Sequence, residues 1–190
     1  MIDGREKSID SNSAENAKVL VGRLRTAFGR MIWNCGKKSI SKAPEIVIIS
    51  PGGVASTLLM KHISNYVSVN SAGDRDGLKH LAHRPSNVNK AILITGNAEE
   101  VAKSLRKRGY LGIHAAKMGS PLGVLLSGKA QEKHFQSLVR NQRKNFESSD
   151  SPTLVIDYDN IWDSCRTIAE FAEITDAEFC NQFPSRTSRR

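Results

Sequence analysis

Three short apolar runs, each followed by a helical pattern, constrain this chain more than any other feature. They are "IVIIS" at residues 46–50, "KAILITG" at 90–96 and "PTLVIDYDN" at 152–160. Each opens on continuous apolar residues rather than alternating ones, as strands covered on both faces do. A helix is predicted from Ser56 to about Asn65. A second lies within "NAEEVAKSLRKRGY", residues 97–110, with Asn97 as N-cap and Glu99 and Glu100 in the first turn. A third lies within "IWDSCRTIAEFAEI", residues 161–174. Strands alternating with helices predict an α/β fold in which a central parallel sheet sits in a three-layer α/β/α arrangement. Between the second and third units, residues 111–149 read as a loop and then a helix over 131–146, and "YVSVNSAG" at 66–73 reads as a short strand.

The chain of 190 residues is long enough for one substantial core. It divides into an N-terminal part (1–43), an α/β domain (44–176) and a basic, unstructured tail (177–190). In the first part Ala17, Leu20, Val21, Leu24, Phe28, Met31 and Ile32 follow helical spacing, with Lys18, Arg23, Arg25 and Arg30 on other faces. That basic amphipathic helix is expected to dock on the domain's own sheet; peripheral contact with an anionic membrane through residues 17–33 is the alternative. A formal net charge of +9 favours an anionic partner. Nucleic acid is disfavoured, because aromatics are only 6% of residues and do not interleave with basic ones. No stretch reaches the eighteen or so apolar residues of a membrane span. The cysteines, Cys35, Cys165 and Cys180, form neither a CxxC pair nor a metal-spaced cluster. The simpler reading is a reducing compartment and a cytoplasmic location.

The first strand runs into "SPGGVASTLL", residues 50–59. Gly52 and Gly53 allow the backbone to approach a ligand, and Ser56 and Thr57 open a helix whose N-terminal amides attract an oxyanion. Gly52, Gly53, Val54, Ala55, Ser56 and Thr57 are therefore candidate anion-binding residues. The nucleoside-triphosphate P-loop GxxxxGK[ST] is not met, since Ala55-Ser56 stands where Gly-Lys would be. His62, His114 and His134 have no partners at catalytic or ligand spacing, and Trp33 and Trp162 read as packing residues.

The order of these segments resembles the sulfotransferase family, whose P-loop-like fold works without magnesium. "SPGGVASTLL" resembles its phosphosulfate loop, P-K-x-G-[ST]-T-x-L, through Pro51, Ser56, Thr57 and Leu59. "AILITGNAEEVAKSLRKRGY" resembles its 3'-phosphate segment, a strand followed by R-[DN]-P-x-[DE]-x-x-x-S, with Ser104 in the serine's place. "VIDYDNIWDSCRTIAEFAEI" resembles the late Y-E-D-L segment through Tyr158, Asp159 and Ile161. "KHLAHRP", residues 79–85, resembles K-T-H-x-P and puts His83 in the place of the base, with His80 in reserve. Together the blocks span roughly two thirds of the chain.

The resemblance implies 3'-phosphoadenosine-5'-phosphosulfate as sulfuryl donor, no metal, and a hydroxyl of a carbohydrate or other molecule as acceptor. Sulfuryl transfer needs an anchored anionic donor, cations where charge develops, and a base for the acceptor's proton. Two motif cations are missing: Gly52 and Gly53 occupy the lysine's neighbourhood, and Gly96 stands for the arginine, as in a divergent, polysaccharide-associated bacterial branch. Lys79 or Lys61 is the candidate to supply charge at the reacting centre. Arg106, Lys107 and Arg108, with Arg108 foremost, or the tail residues Arg186, Arg189 and Arg190, are candidates to neutralise the donor. The alternative function is a nucleotide- or polysaccharide-binding member of the same fold without turnover.

Overall fold

The computed structural model describes residues 43–186. The expected helix at 17–33, Cys35, Arg189 and Arg190 lie outside the described residues. Within them, three parallel strands lie side by side in chain order, β1 (Ile46–Ile49), β2 (Lys90–Thr95) and β3 (Thr153–Asp157). The register pairs Ile48 with Ile92 and Ile92 with Leu154. Helices α1 (Ser56–Ile63), α2 (Ala98–Lys107), α3 (Leu111–Lys117), α4 (Gly128–Glu147), α5 (Cys165–Phe171) and α6 (Glu178–Asn181) surround the sheet. The protein is thus of mixed α/β class, built on a small parallel sheet.

Successive strand residues point to opposite faces, and the core divides accordingly. Ile46, Ile48, Ile92, Ile94 and Ile156 join a large cluster with Leu59, Met60 and Ile63 of α1, Val101, Ala102 and Leu105 of α2, and Phe179 of α6. Val47, Ile49, Ala91 and Leu93 join a smaller one, closed by Val88 and by Phe146 near the end of α4. Every residue of β1 is buried, which is why its run is apolar throughout.

The outer edge of β1 has no full partner strand, and its amides are satisfied piecemeal. Alternate amides face that edge: Ile46 donates to Ser68 O at 3.2 Å, Ile48 to Asn70 Oδ1 at 2.7 Å, and Ser50 to Lys79 O at 2.8 Å. Asn70 returns a bond from Nδ2 to Ile48 O at 3.0 Å, so its amide acts as a surrogate strand residue. The expected strand at 66–73 is here a single parallel bridge, Ile46 to Val69, with side-chain bonding completing the edge. Buried backbone donors need partners, so these contacts fix where segment 68–80 runs.

The helix α2 begins as expected: Asn97 Oδ1 accepts from the amides of Glu99 and Glu100 at 2.9 and 3.2 Å. Other features depart from the sequence reading. Residues 111–117 form α3 rather than a loop, anchored by buried Leu111 and Ala115. The chain beyond residue 176 also packs, since Phe179 is fully buried with its ring centroid 4.7 Å from that of His62, the two planes tilted by 36°. Cys165 and Cys180 form a disulfide, their Cα atoms 5.7 Å apart where α6 folds back on α5. Cys165 and Cys180 are not free thiols, so the expectation of a reducing compartment loses its ground, because such bonds persist mainly in oxidising surroundings. Among the described residues no helix is long and apolar enough to cross a membrane.

Asn70→Ala leaves the amide and carbonyl of Ile48 buried without partners. At about 1–3 kcal/mol per orphaned group, urea unfolding is expected to show a loss of about 3 kcal/mol; a loss under about 0.5 kcal/mol means the edge is not held this way.

Candidate functional site

The loop leaving β1 turns sharply. Gly52 and Gly53 have φ of 102° and 74°, and Ala55, just before α1, has φ of 53°. The loop ends are tied by a hydrogen bond of 2.8 Å from Ser50 Oγ to Ser56 Oγ, both residues being buried. The glycines also leave room for neighbours. A Cβ on Gly52 would stand 2.5 Å from the His114 imidazole, and one on Gly53 would stand 2.8 Å from the Arg108 guanidinium and 3.4 Å from Ser104 Oγ. The first loop and the C-terminal half of α2 therefore meet face to face. Val54 differs from its neighbours, because its side chain is buried in the core and only its backbone is left for a ligand.

Two cations reach this loop from elsewhere in the chain. Lys79 Nζ donates to Thr57 Oγ1 at 2.5 Å and to Ala72 O at 2.8 Å. Burial lowers the Lys79 pKa and nearby Lys117 adds to this, while Asp74 and Asp76 oppose it. Arg108 folds back over α2, its Nη2 3.2 Å from Ser104 Oγ and its Nε 3.1 Å from Ser104 O. Among the described ion pairs neither Lys79 nor Arg108 takes part, so both charges stand ready for an anion. The other candidates are placed elsewhere. Arg106 pairs with Glu132 at 2.9 Å, Lys107 and Lys61 are exposed, and Arg186 pairs with Asp159 at 2.8 Å while lying over the Trp162 ring.

The histidines are arranged differently from the sequence reading. His83, expected as the base, is exposed and does not line the cleft. The chain before it is held to α4: Leu81 O accepts from Gln142 Nε2 at 2.6 Å and Ala82 O from Asn145 Nδ2 at 3.1 Å, which carries His83 outward. His80 instead lies in the cleft wall, with Nδ1 2.8 Å from Ser50 O. His114 of α3 joins it from the other side, with Nδ1 3.0 Å from Pro51 O. The two rings meet edge to face at 4.4 Å. A carbonyl accepts only from an N–H, so each ring carries its proton on Nδ1. Burial and then the Lys117 charge push His80 down to about 4. Burial, then His80 and Lys117, push His114 down to about 2. Both rings are neutral at pH 7, each with an unprotonated Nε2.

These residues surround one cleft of about 550 Å³, into which Thr57, Lys79, His80, Ser104, Arg108 and His114 all face. Tyr158, after β3, closes another part of the wall. The cleft thus lies at the carboxyl ends of the strands, where open parallel sheets bind ligands. Its donors comprise the N-terminal end of α1, the hydroxyls of Ser56, Thr57 and Ser104, and two cations, a set suited to phosphate or sulfate groups. Among the described residues no three His, Cys, Asp or Glu side chains converge as a metal site. His114 and Tyr110, which also lines the cleft, carry no signal in spacing. Residues 111–117 show no clear helical period around Gly112, and His114 meets the loop only through the fold.

No protein-family model, curated protein or solved structure matches this chain.

Gly52→Ala forces both an unfavourable φ and a collision with the His114 ring, and is expected to weaken anion binding at least tenfold, as titration calorimetry would show. The histidines give a pH signature. Unfolded histidines titrate near 6.5, whereas His80 and His114 stay neutral in the fold down to about 4 and about 2. The unfolded chain therefore binds more protons below pH 6.5, and stability falls on acidification by up to about 1.4 kcal/mol per pH unit for each ring. His80 stops contributing below about pH 4, when it protonates in the fold as well. Urea midpoints at pH 7 and 4.5 should differ less in His114→Asn than in wild type; equal differences would mean His114 titrates normally.

Proposed function

We propose that the protein is a sulfotransferase-like enzyme of the P-loop-like, three-layer α/β/α kind. It takes 3'-phosphoadenosine-5'-phosphosulfate and transfers the sulfuryl group to a hydroxyl of a carbohydrate or other acceptor. The observation that carries this reading is the convergence of two sequence blocks 47 residues apart: Arg108 and Ser104 lie against Gly53, in the same cleft as Thr57. An anion site at each end of one loop suits a donor with a phosphate at both ends of its ribose. On this reading the Thr57–Lys79 end takes the phosphosulfate, and the Gly53–Ser104–Arg108 end takes the 3'-phosphate.

The same geometry offers replacements for the two missing motif cations. Lys79 reaches Thr57 from a loop 22 residues downstream, where the family's lysine would arise from the loop itself. Arg108 reaches Ser104 from one helical turn further along, in place of the arginine that Gly96 displaces. In the transfer, the acceptor oxygen attacks sulfur and the bond from sulfur to the bridging oxygen breaks. The electron pair goes to that oxygen, whose charge Lys79 stabilises, and adenosine 3',5'-bisphosphate leaves. The acceptor's proton goes to the unprotonated Nε2 of His80. A bound polyanion raises the pKa of a nearby imidazole, which brings this base closer to the working pH.

A second reading, favoured by the weakly basic histidines that line the cleft, is a binding protein of the same fold without turnover. Both readings require calorimetry to detect adenosine 3',5'-bisphosphate. Thr57→Ala and Ser104→Ala are each expected to weaken it at least tenfold, as loss of a hydrogen bond to a charged group would. A wild-type protein that ignores the nucleotide overturns both. Release of adenosine 3',5'-bisphosphate from the donor, dependent on added hydroxyl acceptor and lost in Lys79→Met, separates enzyme from binder.

A further inference from the structure

We propose that His114 is a positioning residue for the anion loop, and that α3 is the element that sets the loop's shape. The inference deepens the reading of 52–57 as an anion site and rests on it for its consequence, though not on which nucleotide is bound. Two consecutive carbonyls at the end of β1 are held by two imidazoles in edge-to-face contact: Ser50 O by His80 at 2.8 Å and Pro51 O by His114 at 3.0 Å. A peptide unit is planar and trans, so fixing the Pro51 carbonyl also fixes the direction of the Gly52 amide. The His114 ring lies against Gly52 closely enough that a methyl group there would strike it, its Cβ 2.5 Å from Cε1. Bond and contact together restrain the first flexible glycine of the loop. Ala55 and Ser56 restrain the other end.

The helix is itself tied to the lysine loop. Lys117, three residues beyond His114, forms an ion pair with Asp74, whose other oxygen accepts from the Lys79 amide at 3.1 Å. Thus α3 grips both the loop that presents backbone amides and the segment that presents Lys79. Burial keeps the His114 ring neutral, and the charges that face it add to this: His80 when protonated, Lys117 on α3 and Arg108 just after α2, all positive. The Pro51 carbonyl, which can only accept, holds the ring's single proton on Nδ1.

The test compares His114→Phe, which keeps a ring without a donor, with His114→Asn, whose amide Nδ2 stands about where Nδ1 does. Amide ¹⁵N relaxation of Gly52 and Gly53 in the ligand-free protein reads the loop directly. Wild type and His114→Asn are expected to show rigid-backbone order parameters near about 0.85, and His114→Phe to fall below about 0.6 at these two residues, with the rest of the sheet unchanged. Affinity for adenosine 3',5'-bisphosphate should fall at least tenfold in His114→Phe and recover to within about threefold of wild type in His114→Asn. Unchanged order parameters in His114→Phe, or failure of Asn to restore them, overturn the positioning role. So does a disordered loop that binds nucleotide as tightly as wild type. If wild type binds no nucleotide, the proposed function falls, and inorganic sulfate and pyrophosphate replace the nucleotide as probes. Loop order with no response to either anion overturns this inference as well.

Discussion

The outer edge of β1 presents three buried amides that no strand pairs. The acceptors that satisfy them are Ser68, Asn70 and Lys79, spread over a dozen residues of irregular chain. The last matters most for chemistry, because the bond from Ser50 N to Lys79 O places the lysine's backbone at the mouth of the loop. His80, next in the chain, then returns a bond to Ser50 O. The side chains that face the loop from this side are there because a strand end needed partners. An unpaired buried amide is costly enough to make that requirement a strong organiser.

Charge in the cleft follows from the same arrangement. Asp74 is committed to Lys117 and to the Lys79 backbone, so it supports the segment without neutralising the lysine through a direct pair. Arg108 bends over its own helix to Ser104 rather than outward to a carboxylate. By contrast Lys103, on the far side of that helix, is paired with Glu99 at 2.9 Å. The basic cluster after Ser104 thus divides by direction: Arg106 serves packing against α4, and Arg108 serves the cleft.

Much of the framework was legible in the sequence because it depends on local signals. The three apolar runs, the Asn97 cap and the glycine turn before Ser56 are all specified within a few residues. Membership of the cleft was legible for Gly52, Gly53, Thr57 and Ser104 through motif spacing, and for Lys79, His80 and Arg108 through proximity to a motif. What escaped was set by distant contacts. His83 matched a pattern, but Gln142 and Asn145 on α4 hold the preceding residues and turn it to the surface. His114 bonds a carbonyl 63 residues away, and no spacing rule reaches so far. The Cys165–Cys180 pair carries no motif either, since it depends on a turn at Glu173, whose φ is 57°.

Ala55 carries a methyl group in a left-handed turn, φ 53°, directly before α1. That geometry costs a residue with a Cβ about 1–2 kcal/mol, whereas glycine in its place would loosen the unfolded chain by about 0.4–1 kcal/mol. The strain is the larger of the two, so alanine here is held at a small net cost. The junction of loop and helix therefore stores a little strain, which Ala55→Gly would release without altering any polar atom that faces the cleft.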